Sequence, residues 1–181
     1  MNEGMVPPAV RAGELVQQLA REIALHVSDS GDWHTIVFVG RNLSRYAEGE
    51  LTVHRTTGED RSLVAPVSAR RKLMELRDVM YQDGAGTWFS IRLTIMHRDG
   101  RTRMGVDYNY DDAPQWDTTP ASSLYTADLI KYPRDQDKMP DWLVEQVARA
   151  QTEYPPEYEE YEYALRQRRD TPPGSAGGVD P

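Results

Sequence analysis

Cysteine is missing from this 181-residue chain, which removes disulfide bonds and thiolate metal sites at once. No apolar run approaches the roughly 20 residues that cross a bilayer as a helix. The N-terminus also lacks the basic start and apolar middle of a secretory signal, so a cytoplasmic protein without membrane contact is expected. Cations are the minority charge: 21 Lys and Arg stand against 29 Asp and Glu, a formal net charge of -8. A non-specific nucleic-acid binder needs a basic face, so no nucleic-acid partner is expected. The charge is compatible with a basic protein partner, because opposite potentials speed encounter, although acidity for solubility alone is common.

Catalytic signatures are missing as well. There is no G-x-S-x-G elbow, no G-x-G-x-x-G and no P-loop. His26, His34, His54 and His97 lie on separate elements, without the close pair that zinc sites usually show. Asp107, Asn109, Asp111 and Asp112 imitate a calcium loop, D-x-N-x-D, but fail at the deciding positions. Asp112 stands where glycine makes the sharp turn, and Thr118 where a bidentate glutamate closes the shell. A magnesium-dependent nuclease site would need further acids, and no spacing aims Glu75, Asp78 or Asp83 at this strand. The expectation is no metal, no cofactor and no catalytic residue; a small hydrolase using Asp107 and Asp111 is the alternative.

What is present is a long hairpin, over about residues 88–110. Asp99-Gly100 is a strong two-residue turn signal, because a type I′ turn needs positive φ at both positions. Counting outward from that turn pairs Arg98 with Arg101, Ile95 with Met104, Leu93 with Val106, Ile91 with Tyr108 and Phe89 with Tyr110. Side chains alternate with period 2, so these apolar pairs share one face. The other face sets Ser90 against Asn109, and Arg92 against Asp107 as a cross-strand charge pair.

Around the hairpin the apolar spacing predicts a first helix with Ala12, Leu15, Val16, Leu19, Ile23 and Val27 on one stripe, stopped by Ser28-Asp29-Ser30-Gly31. Trp33 to Val39 is apolar on both faces, as a central strand is. Glu50 to Arg55 alternates with Leu51 and Val53 inward, and Arg61 to Val64 returns as a short strand. Ser68 is a candidate cap for a second helix bearing Leu73, Leu76, Val79 and Met80. Gly84 and Gly86 read as a flexible turn, and Leu124 to Ile130 fits strand and helix equally weakly. Asp141 is a candidate cap for a helix carrying Trp142, Leu143, Val147 and Ala150, and Pro155-Pro156 start a last helix ending near Arg169.

On that last helix Tyr158, Tyr161 and Leu165 form one stripe, with Glu157, Glu159, Glu160 and Glu162 early and Arg166, Arg168 and Arg169 late. The order suits the helix dipole, and Glu162 with Arg166 has favourable i, i+4 spacing. The helix therefore stabilises itself, while its tyrosines also suit a binding surface. The order helix, strands, helix, hairpin, helices gives an α+β class: an antiparallel sheet with helices on one face and at the C-terminus. One domain over residues 9–169 is expected, with disordered ends at 1–8 and 170–181.

Trp88 to Met96, the Asp99-Gly100 turn and Val106-Asp107-Tyr108-Asn109-Tyr110-Asp111-Asp112 resemble the YezG-like bacterial immunity family. That family similarly sets an amphipathic first helix and a leucine-bearing helix ahead of a W-x-x-apolar strand, then ends a strand in an F-N-Y-D-D type motif. The likeness is best from Ser68 to Asp112, and Asp128 to Arg134 echoes the family's next segment in part. The last helix has no counterpart in it. The resemblance implies a cytoplasmic antitoxin that neutralises a secreted toxin of the same cell, a nuclease or an NAD-hydrolysing toxin, and is monomeric in that complex. The expected toxin-binding residues are Arg92, Asp107, Asn109, Asp111, Asp112, Trp116, Tyr158, Glu159 and Glu162. A secretion chaperone for the toxin is a further alternative.

Overall fold

In the computed structural model, which describes residues 7–28 and 31–170, Asp99 and Gly100 adopt φ of 51° and 68°. These are the left-handed conformations the turn requires, and they join β4 (Ser90–Arg98) to β5 (Arg101–Asn109). The register follows from the turn: Arg98 pairs with Arg101, Ile95 with Met104, Leu93 with Val106, Ile91 with Tyr108, Arg92 with Asp107 and Ser90 with Asn109. Phe89 departs from the expected alternation. Its N–H reaches the Asn109 carbonyl at 2.8 Å, so both Phe89 and Ser90 face Asn109, as in a β-bulge. That extra residue turns the Phe89 ring out of the hairpin's apolar face and into a second core.

Three more strands complete the sheet: β1 (Trp33–Leu43), β2 (Tyr46–Arg55) and β3 (Arg61–Val64). All pairings are antiparallel, in the order β3-β2-β1-β4-β5, so the strand that is apolar on both faces lies at the centre. β1 and β2 extend further toward each other than Val39 and Glu50, meeting at a two-residue turn of Ser44 and Arg45. Ser44 is held at φ 39° there, and Asp128 accepts its N–H at 2.5 Å. A distant carboxylate thus fixes a turn that carries no Asn-Gly or Asp-Gly signal.

Two helices, α1 (Pro8–Val27) and α2 (Val67–Met80), cover one sheet face. Leu15, Val16, Leu19, Ile23 and Val27 form the buried stripe of α1, as their spacing requires, against Leu73 and Leu76 of α2. Below them lie Ile36, Phe38, Leu51, Val53, Ile91, Leu93 and Ile95. Ser68 does not cap α2; Pro66 precedes the first turn and Ser68 sits within it. Of the chain ends expected to be disordered, Pro8 already opens α1 and Asp170 still belongs to α5, while residues 1–6 and 171–181 lie outside the described residues.

The rest of the chain forms a helical group at one end of the sheet. Leu124 to Ile130 resolves as helix within α3 (Ser122–Lys131). A short 3-10 turn (Gln136–Lys138) leads to α4 (Asp141–Glu153) and α5 (Pro155–Asp170). Asp141 is the first residue of α4 and makes no capping hydrogen bond, since Pro140 occupies the cap. Leu43, Phe89, Tyr125, Leu129, Leu143 and Tyr161 make the second core, so the last residue of β1 and the bulge before β4 anchor these helices.

A buried ion pair joins the two cores. Arg77 of α2 donates from both terminal nitrogens to the two oxygens of Asp128 in α3, at 2.7 and 2.8 Å, and from Nε to the Trp88 carbonyl at 2.9 Å. Both side chains are almost fully buried, at 1% and 4% exposure. The Tyr132 ring stacks on the Arg77 guanidinium at 4.6 Å and its hydroxyl donates to Asp78 at 2.6 Å. Arg134 lies over the Phe89 ring and donates to the Thr87 carbonyl at 2.7 Å. The Gly84-Ala85-Gly86 segment, expected to be a flexible turn, is instead tied down by a bridge between Ala85 and Arg134. A Cβ on Gly86 would lie 2.5 Å from the Arg134 side chain, which explains that glycine.

Two outcomes follow for stability. Asp128→Ala leaves a buried guanidinium unpaired, and urea unfolding should show a loss of about 3–5 kcal/mol; a loss below about 1 kcal/mol would refute the joint's importance. Replacing both partners, Arg77→Met with Asp128→Leu, should recover part of it. Separately, burial and the Asp78 hydrogen bond push the Tyr132 hydroxyl up to about 12 from 10.0. A raised value means the folded state holds the proton, so this contribution is complete below about pH 10 and lost as pH rises toward 12. Unfolding free energy should fall more steeply over that window in the wild type than in Tyr132→Phe, by up to roughly 3 kcal/mol.

Candidate functional site

The register places one set of side chains on the sheet face opposite α1 and α2. Val64, Glu50, Val39, Arg92 and Asp107 make one row across all five strands. Ser62, Thr52, Val37, Thr94 and Gly105 make the next, and His54, Thr35, Met96 and Arg103 a third. Neither apolar core includes these side chains. Val64 is 85% exposed and Met96 42%, large values for apolar side chains in a sheet, while Arg92, Asp107 and Arg103 are exposed. This is a mixed apolar and charged surface, open from edge to edge.

A fixed loop bounds one end of it. Asn109 directs the chain there: its side-chain oxygen accepts the N–H of Asp111 and Asp112, at 3.2 and 2.8 Å, and its amide donates to the Ser90 hydroxyl and the Asp112 carbonyl. This Asx arrangement ends β5 and throws the Asp111 and Asp112 carboxylates outward. Further on, Trp116 lies on the Tyr46 ring at 5.5 Å, and Glu48 accepts the N–H of Asp117 and Thr118 at 2.9 and 3.1 Å. The segment therefore crosses from β5 to β2 over the row that holds Asn109, Ser90, Arg41 and Glu48.

Electrostatics at this end are set by Glu48. Burial pushes its carboxyl up, but the Tyr46 hydroxyl, the two backbone N–H groups and Arg41 outweigh that and hold it below the usual range. Arg41 itself lies 2.6 Å from Glu50 Oε1. No such pair forms between Arg92 and Asp107, which face each other in register but make no ion pair, contrary to the sequence expectation. Both charges are left for solvent or a partner.

The expected binding residues separate into two surfaces. Arg92 and Asp107 stand on the open face, Asn109 is occupied by its own backbone contacts, and Asp111 and Asp112 project from the adjoining loop. Trp116 is half-buried against Tyr46 and the second core. Tyr158, Glu159 and Glu162 lie on α5, which packs on α3 and α4. The Tyr158 hydroxyl donates to Glu162 at 3.2 Å, and both line a groove of about 560 Å³ with Met139, Val144, Val147 and Leu165. Trp142 of α4 connects the two regions, donating to the Asp111 carbonyl at 2.6 Å and packing edge-on to Phe89 and Tyr125.

Val64, Met96, Arg41 and Glu48 were not legible as site residues. The alternation of Glu48 with Glu50 marks a polar strand face, but only once β2 is known to reach back to Tyr46. Among the described residues no group of three or more His, Asp or Glu side chains is placed to hold a metal ion. No helix among them is long and apolar enough to cross a membrane. No protein-family profile matches the chain, and no curated protein matches it in sequence.

The depressed Glu48 carboxyl gives a pH test. A lowered value means the folded state holds the ionised form, so loop anchoring is complete above about 4.5 and weakens as pH falls below it. Protection of the Asp117 and Thr118 amides, taken relative to their intrinsic exchange rates, should fall as pH drops below that value in the wild type. In Glu48→Gln it should be low already at neutral pH; unchanged protection there would remove Glu48 from this role.

Proposed function

We propose that this chain is an immunity protein, an antitoxin that binds and neutralises a cognate secreted bacterial toxin, and that the toxin docks on the open sheet face. The observation that carries this is the five-strand surface itself: Val64 and Met96 exposed and Val39 half-buried beside the unpaired charges of Arg92 and Asp107, next to a loop pinned at both ends. Exposed apolar groups within a polar surround are the composition of an interface. The sequence resemblance to YezG-like immunity proteins supplies the kind of partner.

Inhibition by binding needs no reactive group. It needs a rigid surface, because every side chain ordered only on binding subtracts from affinity. The sheet is rigid by its ladders, and Asn109 and Glu48 extend that rigidity into the loop. Nanomolar affinity corresponds to about -12 kcal/mol, which a few desolvated anchors inside a charged rim can supply. Val39 and Met96 are the apolar anchors in this reading, Arg92 and Asp107 the charges that fix orientation. Asp111 and Asp112 at the rim accelerate encounter with a basic toxin surface, a nuclease better than an NAD-hydrolysing enzyme. The complex carries one toxin per chain and occupies the cytoplasm of the producing cell.

The test is purification with the product of the neighbouring gene. A stoichiometric complex that silences a toxic activity supports the reading, whereas turnover by the isolated chain, or a complex that leaves the toxin active, would overturn it. Arg92→Ala with Asp107→Ala should weaken the complex at least tenfold, and Asp111→Ala with Asp112→Ala should slow association chiefly at low salt. Unchanged affinity in both double variants, with native circular dichroism, would move the interface elsewhere.

A further inference from the structure

The two edges of the sheet are treated differently. β3 is four residues long and runs into Ala65-Pro66, so its edge is short and soon loses a donor. β5 is nine residues long and contains no proline, and among the described residues it pairs with β4 alone and has no covering helix. The turn decides which backbone groups it presents. Arg98 and Arg101 flank a two-residue turn as a hydrogen-bonded pair, so odd-numbered residues of β5 bond to β4. Thr102, Met104, Val106 and Tyr108 therefore aim their N–H and C=O groups outward. Met104 is also 42% exposed on the helix side of the sheet.

We propose that this edge pairs with the β5 edge of a second copy of the chain, antiparallel, about a two-fold axis at Gly105. That register keeps each side chain on its proper face and sets Arg103 opposite Asp107 of the second copy, twice over by symmetry. It also sets the exposed Met104 beside Val106 of the second copy. Neither Arg103 nor Asp107 has an ion-pair partner in its own chain among the described residues. Shifting the axis to Val106 would put Arg103 against Asn109 and Asp107 against Gly105, pairing no charge; shifting it to Met104 would pair Asp107 with Arg101 but set Gly105 against Arg103 and leave Arg103 without a partner. Gly105 fits the axis, where the backbones approach most closely. A Cβ there would meet nothing within 4 Å in its own chain, so no internal contact accounts for the glycine. The product is a ten-stranded sheet, with the two open faces side by side. This inference rests on the edge and not on the toxin-binding reading, although the two share Asp107; its test uses the chain without toxin, so either can fail alone.

Nine residues of edge give a small interface, so the association belongs to the weak, transient class. Sedimentation of the full chain should show a mass rising from 20.6 kDa toward about twice that value from low to high micromolar concentration. Arg103→Asp sets Asp against Asp across the axis, and Asp107→Arg sets Arg against Arg; each should weaken the dimer about tenfold. An equimolar mixture of these two variants restores both charge pairs and should dimerise again. Met104→Pro removes an outward N–H without touching the β4 ladder, and should stay folded by circular dichroism and sediment as a monomer. A wild type that stays at 20.6 kDa throughout would overturn the proposal. So would a dimer that survives Met104→Pro, or a mixture that remains monomeric.

Discussion

Arg77 sits at the bottom of α2 where its helix stripe would place an apolar residue, and it is 1% exposed. A guanidinium there is tolerable only because Asp128 meets it with both oxygens and the Trp88 carbonyl takes its third donor. The same carboxylate accepts the Ser44 N–H and so holds the turn between β1 and β2. One ion pair thus fixes three things: the docking of α3 on α2, the end of the central hairpin, and the point where the second core begins. Buried pairs of this kind add little net stability over an apolar replacement but penalise every arrangement that separates them. Their effect here is to fix how the helical group is set against the sheet.

Among the described residues, that placement leaves the second sheet face uncovered. α1 and α2 supply enough apolar surface for one face only, and the C-terminal helices are committed to the sheet's end by Phe89, Leu43 and Trp142. The uncovered face keeps Val37 shielded by its own neighbours, at 9% exposure, yet exposes Val64 and Met96. A surface that balances apolar and charged groups in this way remains soluble while retaining area to desolvate against a partner. The adjoining loop is rigid for a separate reason: Asn109, Glu48 and Trp116 each satisfy backbone or ring contacts that ordinary surface loops leave to water.

The hairpin was legible in the sequence because three signals agreed. Asp99-Gly100 specifies the turn, the turn specifies the register, and the apolar alternation confirms it from Ile91 to Met104. The stripes of α1 and α5 and the central position of β1 were legible for similar reasons of periodicity. Phe89 was misassigned because a bulge adds one residue without any mark in the letters. Ser68 and Asp141 looked like caps, but Pro66 and Pro140 occupy the cap positions, two residues and one residue earlier. Of the candidate site, Arg92, Asp107, Asp111 and Asp112 could be named from the hairpin. Glu48 and Val64 could not, since they join the surface only through pairings to β1 and β2.

By itself, then, the order of residues determined every element whose stability is local: turns with positive φ, helices with a continuous stripe, and a strand pair closed by two residues. Such features depend on neighbours within a few positions, so their energies can be read from spacing. Tertiary structure alone decided the fate of the polar residues. Arg77, Asp128, Asn109 and Arg92 are all polar, yet the first two are buried as a joint, the third is spent on a turn, and the last faces solvent. A charged side chain has no intrinsic place in a fold; its position depends on which distant group can satisfy it once water is removed.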